Sequence, residues 1–313
     1  MKLVIVTPLF NDWESFARLT SDIEMVMRDQ EVEYLILAVN DDSSIMPGNI
    51  QARVACRILH LTCNLGHQRA IAVGLAHLAD LEDFDAVVVM DADGEDKPEY
   101  LPALIAQHLA NPRTIIVARR DKRSEGNTFK LGYRLYQFIF GLFTGRKLPF
   151  GNFCLLPQEA AKRLVYQESI WNHLAATVLR SRFDLVMLPT ERGNRYAGES
   201  SMNLSSLVLF GLSAISVYSD IALVRTLFAS FILSLGAVAT ITVATFWKLF
   251  TDMATPGWAS TVVGSMLIIV LQCLVVSVSL LFIILSNRSQ RGFVVARNYS
   301  DYVLEITDTQ ISP

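Results

Sequence analysis

The chain has 313 residues but only four cysteines, Cys56, Cys63, Cys154 and Cys273, with no C-x-x-C pair among them. That irregular spacing excludes a zinc ribbon, a redox-active cysteine pair and a disulfide framework. The five histidines form no H-x-x-x-H pattern, which removes the usual helical zinc site. A formal net charge of −3 provides no basic footprint for nucleic acid, so no nucleic-acid partner is expected. There is no internal repeat and no low-complexity linker. The opening Lys2–Pro8 reads as a first strand, without the small-residue cleavage site of a signal peptide, so the first two-thirds are expected to stay in the cytoplasm.

Charge is also missing from two long stretches, Thr226 to Trp247 and Ala254 to Asn287. A membrane span needs about 20 mostly apolar residues, and the spacing predicts helices near 227–247 and 262–285. Asp252, Pro256, Gly257 and Trp258 between them suit a short turn with an interfacial aromatic. Arg225 precedes the pair and Arg288, Arg291 and Arg297 follow it, against Lys248 alone in the turn. The bias of basic residues puts both ends of the pair, and so both termini, in the cytoplasm at the inner or plasma membrane. Residues 204–225 carry the single acidic residue Asp220; they are compatible with a helix on the membrane surface and equally with packing in the soluble domain. The expected division is 1–203 soluble domain, 204–225 juxtamembrane helix, 226–286 spans and 287–313 cytoplasmic tail.

Before residue 204 the pattern alternates. Strand-like runs at Leu3–Thr7, Glu33–Val39, Arg57–Leu61, Ala86–Met90 and Thr114–Ala118 are separated by helical stretches near Glu14–Met27, Gln68–Leu78 and Glu99–Leu109. This is an α/β domain with a mostly parallel sheet. Such sheets bind ligands beyond the carboxyl ends of their strands. After the fourth run comes Asp91-Ala92-Asp93-Gly94-Glu95-Asp96. Carboxylates this close repel one another unless a cation intervenes, and Mg²⁺ is commonly held by one or two carboxylates plus substrate phosphates. A solvated acidic turn ahead of Pro98 accounts for the same residues. Asn11 and Ser43, after the first and second runs, would serve equally well as helix caps. After the third run, Gly66 allows a tight turn, and the following helix offers free amides to an anion.

Four segments in order carry a resemblance: Pro8-Leu9-Phe10-Asn11-Asp12, Val39-Asn40-Asp41-Asp42-Ser43, Asn64-Leu65-Gly66-His67-Gln68 and Met90-Asp91-Ala92-Asp93. They are similar to P-V-Y-N-E, V-[DN]-D-G-S, N-x-G-H-Q and M-D-A-D of the inverting family 2 glycosyltransferases with the GT-A fold. Within these the chain most resembles the dolichyl- and polyprenyl-phosphate sugar synthases. The resemblance implies that Pro8, Asp12, Asp41 and Asp91 serve the nucleotide of a sugar donor. Asp91, Asp93 and Glu95 would face Mg²⁺ or Mn²⁺, with Asp93, Arg119 and Asn152 at catalytic positions. Arg123, Lys130, Arg134, Arg195 and Ser200 would lie near the phosphate of a lipid acceptor, and assembly into homo-oligomers is implied as well.

Two departures stand out. The family's G-D-F-R-L is Gly151-Asn152-Phe153-Cys154-Leu155 here, and the lysine expected after Ser200 is Ser201. An amide cannot act as a general base, but a phosphate acceptor has no proton for a base to remove. The expected activity is therefore transfer from a nucleotide-sugar, UDP-linked before GDP-linked, to polyprenyl phosphate at the membrane. A glycan or glycolipid hydroxyl acceptor would require a base, for which Asp96 and Glu95 are the nearby candidates. A catalytically weak membrane scaffold or regulator is the reading that the losses at Asn152, Cys154 and Ser201 motivate.

Overall fold

The computed structural model describes residues 1–45, 54–80, 83–122, 127–197, 204–250, 257–289 and 292–308. Eight strands form one mixed sheet: β1 Lys2–Leu9, β2 Glu33–Asn40, β3 Cys56–Leu61, β4 Ala86–Val89, β5 Ile115–Lys122, β6 Cys154–Pro157, β7 Leu185–Glu191 and β8 Val303–Asp308. Their order is β7-β5-β6-β4-β1-β2-β3-β8. Each expected strand is present, and three were not anticipated. The helices are α1 Trp13–Met27, α2 His67–Asp80, α3 Leu101–Ala110, α4 Asn127–Thr144, α5 Gln158–Leu164, α6 Leu174–Arg180, α7 Leu204–Ser216, α8 Ser219–Phe250, α9 Trp258–Ser289 and α10 Val295–Asn298.

The central strands are apolar without alternation because helices cover both faces of the sheet. Leu3, Val4, Ile5 and Val6 in β1 and all of β4 are buried. Helix α1 buries Phe16, Leu19, Ile23 and Met27, a stripe at helical spacing. Each such side chain contributes about 1.5–3 kcal/mol. Helix α2 lies so close to the sheet that a Cβ on Gly74 would sit 2.7 Å from Val39 Cγ2.

The topology gathers the motifs at one edge. Strand β1 pairs in parallel with β2 on one side and β4 on the other, so the chain reverses its direction of winding at β1. A crevice opens beyond the carboxyl ends of strands at such a reversal. Strand β6 runs antiparallel between β4 and β5, with Val89 opposite Cys154. Its start, next to Asn152, therefore lies at the same edge as Asp91. Strand β7 is parallel to β5, which brings the residues after Glu191 to that edge too.

The chain separates into two compact units. One comprises Met1–Phe138, Lys147–Val217 and the chain from Phe293; the other comprises Ile139–Arg146 and Tyr218–Gly292. The region expected as one juxtamembrane helix thus divides between Val217 and Tyr218, with α7 in the first unit. The segment expected as a tail supplies α10 and β8 to the first unit, β8 pairing antiparallel with β3. In the second unit α8 and α9 have peak mean hydropathies of 2.1 and 3.0, and both are long and apolar enough to cross a membrane. At 32 residues each, they extend roughly 48 Å, beyond the ~30 Å hydrocarbon core. Most of their large apolar side chains are exposed, whereas Ala237 and Ala244, two turns apart on α8, are buried. Small residues of this kind let helices approach closely in lipid.

Candidate active site at the carboxyl edge of the sheet

The loop after β4 is held from two directions. Gly193 N–H donates to Glu95 O at 2.8 Å and Tyr196 N–H to Asp93 O at 2.9 Å, so the chain after β7 lies against the acidic loop. Only glycine fits at the crossing, where a Cβ on Gly193 would stand 2.1 Å from Gly94 O. The Tyr196 hydroxyl then donates to Asp22 of α1 at 2.6 Å, and Arg18 donates to Tyr196 O.

Three arginines partner the carboxylates. Arg195 reaches Asp93 at 3.0 Å, Arg192 reaches Glu95 at 2.6 Å, and Arg120 reaches Asp96 at 3.1 Å. Asp96 also accepts from the Asp91 N–H. Asp91 is the exception: its Oδ1 is buried with no hydrogen-bond partner. Burial and the charge of Asp93 push the Asp91 carboxyl up to about 7, while burial and Asp91 push Asp96 up to about 6. Burial raises Asp93 as well.

This pattern fits a divalent cation. Among the described residues no three His, Cys, Asp or Glu side chains converge as a ready-made metal cluster, and Glu95 turns to Arg192 instead of joining Asp91 and Asp93. A diphosphate-bound Mg²⁺ needs only one or two carboxylates, and the bare Asp91 oxygen offers one. Metal binding requires the carboxylate form. Mn²⁺ affinity measured by calorimetry with UDP present should therefore rise with pH up to about 7, the Asp91 value, by as much as about tenfold per unit, and level off above. A flat profile from pH 5.5 to 8 would remove Asp91 from the metal's ligands.

The positions expected to serve a nucleotide are placed differently. Buried Asp41 accepts from the N–H groups of Leu65 and Gly66 at 2.7 and 2.8 Å, fixing the loop that opens α2. Burial raises its pKa against the lowering by those amides. Pro8 lies in β1 beside Val39, and Asp12 immediately precedes α1. Asn11 takes a positive φ of 55°; its N–H donates to Ser43 Oγ, and its Oδ1 accepts from Ile45 N–H. The loops after β1 and β2 are thereby tied together.

Arg119 is exposed, and alternation along β5 puts Arg120 on the opposite face; Arg120 is the one that meets the acidic loop. Arg195, expected near an acceptor phosphate, is placed on Asp93. Arg134 lies exposed on α4, and Lys130 falls within the same helix. Arg123 and Ser200 lie outside the described residues. Asn152 is buried against Gln68 and His67, accepting from Gln68 at 3.0 Å. Sequence reading missed Arg120, Arg192 and the partners of Asn152. Gln68 belongs to a quoted motif, but nothing local indicates that it reaches across 84 residues.

The fold thus gathers an acidic loop and three arginines at the switch-point edge of an α/β sheet. The chain matches the family model for glycosyl transferase family 2 over residues 4–164, more than half its length, and it belongs to that family. It is similar to the uncharacterized glycosyltransferase YkcC of Bacillus subtilis (strain 168), at 26% identity over 276 residues, covering 84% of this chain and 82% of the relative. It is also similar to the bactoprenol glucosyl transferase of Shigella phage SfV, at 25% identity, covering 70% and 73%. Mannosyl-3-phosphoglycerate synthase from Rubrobacter xylanophilus shares the GT-A fold, with a TM-score of 0.51 at 16% identity, covering 70% of this chain and 73% of that one.

Proposed function

We propose that the chain is a membrane-anchored, metal-dependent inverting glycosyltransferase that moves a sugar from a UDP-linked donor to polyprenyl phosphate at the cytoplasmic face. The observation that carries this reading is the orphaned Asp91 oxygen among Asp93 and three arginines at the switch-point edge. Asp91 and Asp93 would hold Mg²⁺ or Mn²⁺, which when bound supplies charge to the departing nucleoside diphosphate. Arg120 and Arg192 are forked donors of the kind suited to phosphate oxygens and would lie beside that charge. The acceptor phosphate is already anionic, so alignment and charge stabilisation suffice for attack at the anomeric carbon. Both candidate bases are engaged elsewhere, Asp96 with Arg120 and Glu95 with Arg192, which favours a phosphate over a hydroxyl acceptor. Named activity on bactoprenol in a relative and two long apolar helices support a lipid substrate. The spans, with both termini cytoplasmic, would keep the site at headgroup depth, and self-association through them accords with the family resemblance.

The test is transfer from radiolabelled UDP- and GDP-sugars into extractable lipid, using purified full-length protein, undecaprenyl phosphate and Mn²⁺ or Mg²⁺. Label in lipid, lost with Asp93→Ala, is expected and identifies the sugar. Metal-dependent nucleotide binding without lipid product would overturn the acceptor and redirect the search to hydroxyls. Loss of nucleotide binding as well would favour the scaffold reading.

A further inference from the structure

The amide at Asn152 determines where a proton sits on His67. A backbone N–H can only donate, and that of Leu174 donates to Gln68 Oε1 at 2.7 Å. Gln68 Nε2 is therefore the donor end, and it reaches Asn152 Oδ1 at 3.0 Å. Asn152 Nδ2 then faces His67 Nε2 at 2.8 Å, with Gln68 Nε2 3.0 Å from the same nitrogen. Two amide donors converge on His67 Nε2, so that nitrogen accepts and the proton of the neutral ring is on Nδ1. An imidazolium would set an N–H against both amides.

The groups around the ring act in opposing directions. Asp41, Asp93 and Asp96 favour a charged His67, but burial prevails and lowers its pKa. His67 opens α2, where the helix dipole further disfavours a cation. Phe210 of α7 stacks at 5.8 Å. His173, ahead of α6, accepts from Ala176 N–H through Nδ1, and burial pushes its pKa down to about 3.

We propose that Asn152 and Gln68 are positioning residues that lock His67 in its neutral Nδ1–H form, making it an uncharged hydrogen-bond donor to a substrate phosphate. The donor role rests on the function proposed above; the tautomer does not. A carboxylate at position 152 would still accept from Gln68, but its second oxygen would demand a proton on His67 Nε2. The amide found here therefore reverses the polarity of this ring from what the family's carboxylate would impose.

The decisive measurement is long-range ¹H–¹⁵N correlation of the full chain labelled at histidine nitrogens, with His67 assigned by its loss in His67→Gln. His67 is expected to carry its proton on Nδ1 and not to titrate from pH 6 to 8. Asn152→Asp, nearly isosteric, is expected to move the proton to Nε2 and bring titration into that range. In transfer assays His67→Gln should lose about a hundredfold in kcat/KM, the scale for one preorganised donor. His67→Asn, whose amide occupies the Nδ1 position, should recover part of it. Asn152→Asp should also acquire a pH inflection absent from the wild type. A wild-type His67 protonated at Nε2, or titrating as a free histidine, would overturn the proposal. Equal loss in His67→Asn and His67→Gln would overturn the donor role. If no transfer occurs in the wild type while the spectra stand, the substrate reading fails and takes the donor role with it.

Discussion

Asp91→Asn is expected to lower transfer about a thousandfold and, at pH 8, to raise the thermal midpoint of the same protein. Both effects come from one buried oxygen. Asp91 Oδ1 has no hydrogen-bond partner, and burial and Asp93 push its carboxyl up to about 7, against about 3.9 in an unfolded chain. Between those values the folded state holds a proton that the unfolded state has released. Stability therefore falls as pH rises through this window, and above it the full cost remains. Asparagine carries no charge to bury. Allowing for coupling to Asp93 and Asp96, the gain at pH 8 is on the order of 2 kcal/mol, or roughly 4–8 °C for a domain of this size.

At about pH 4 the unfolded wild type also holds much of this proton, so the two midpoints should differ far less than at pH 8. Mn²⁺ with UDP should stabilise the wild type at pH 8 by mass action and leave Asp91→Asn unmoved. Tryptophan fluorescence melts at the two pH values, alongside the lipid-transfer assay, make the comparison. A variant that is less stable at pH 8, or that transfers at the wild-type rate, would show that Asp91 is neither charged at that pH nor a ligand. Stability and activity are opposed here because the charge that strains the apo fold is the charge a cation requires.

The parallel half of the sheet was legible because β1, β2 and β4 are largely buried aliphatic runs, and each ends in a motif. Strand β6 has four residues, too few to show a period, and β7 contains Pro189. Strand β8 is largely exposed and its partner β3 lies some 240 residues earlier, so nothing local distinguishes it from a tail. The choice between Arg119 and Arg120 depends on strand parity, and adjacent identical residues conceal it. Pairing of β5 with β7 and β6 fixes that parity and gives Arg120 the contact. The loss of a carboxylate at Asn152 could be read directly, but its consequence could not. Gln68 and the Leu174 amide that orient it come from distant parts of the chain.

A chain ending at residue 291 should lose UDP–Mn²⁺ binding and aggregate, although all four sequence motifs are retained. The missing segment buries Val295 completely and packs Phe293 and Tyr302 on Trp171, with ring centroids at 4.5 and 5.3 Å. One buried aliphatic at about 2 kcal/mol, two aromatic pairs at about 1 kcal/mol each and the β3–β8 ladder sum to roughly 5 kcal/mol, a large part of the ~5–15 kcal/mol that stabilises a domain. Removal would also uncover the edge of β3, a template for pairing between chains. The link to the loops after β1 and β2 is specific. Ser43 N–H donates to Asn40 Oδ1 at 3.1 Å, which turns Asn40 Nδ2 toward His60 Nδ1 at 3.0 Å. With Nδ1 accepting, the His60 ring donates through Nε2 to Thr307 Oγ1 at 3.0 Å, on β8. Ser43 in turn accepts from Asn11 after β1. Thr307→Val keeps the strand but orphans the His60 donor, at about 1–3 kcal/mol, and should weaken UDP binding without aggregation. Calorimetry and size-exclusion chromatography on both variants separate the two contributions. Undiminished UDP affinity in a monodisperse truncated chain would mean that β8 merely decorates the sheet. Weakened binding in Thr307→Val, in a protein that remains well folded, would make the strand following the second long helix part of the donor site.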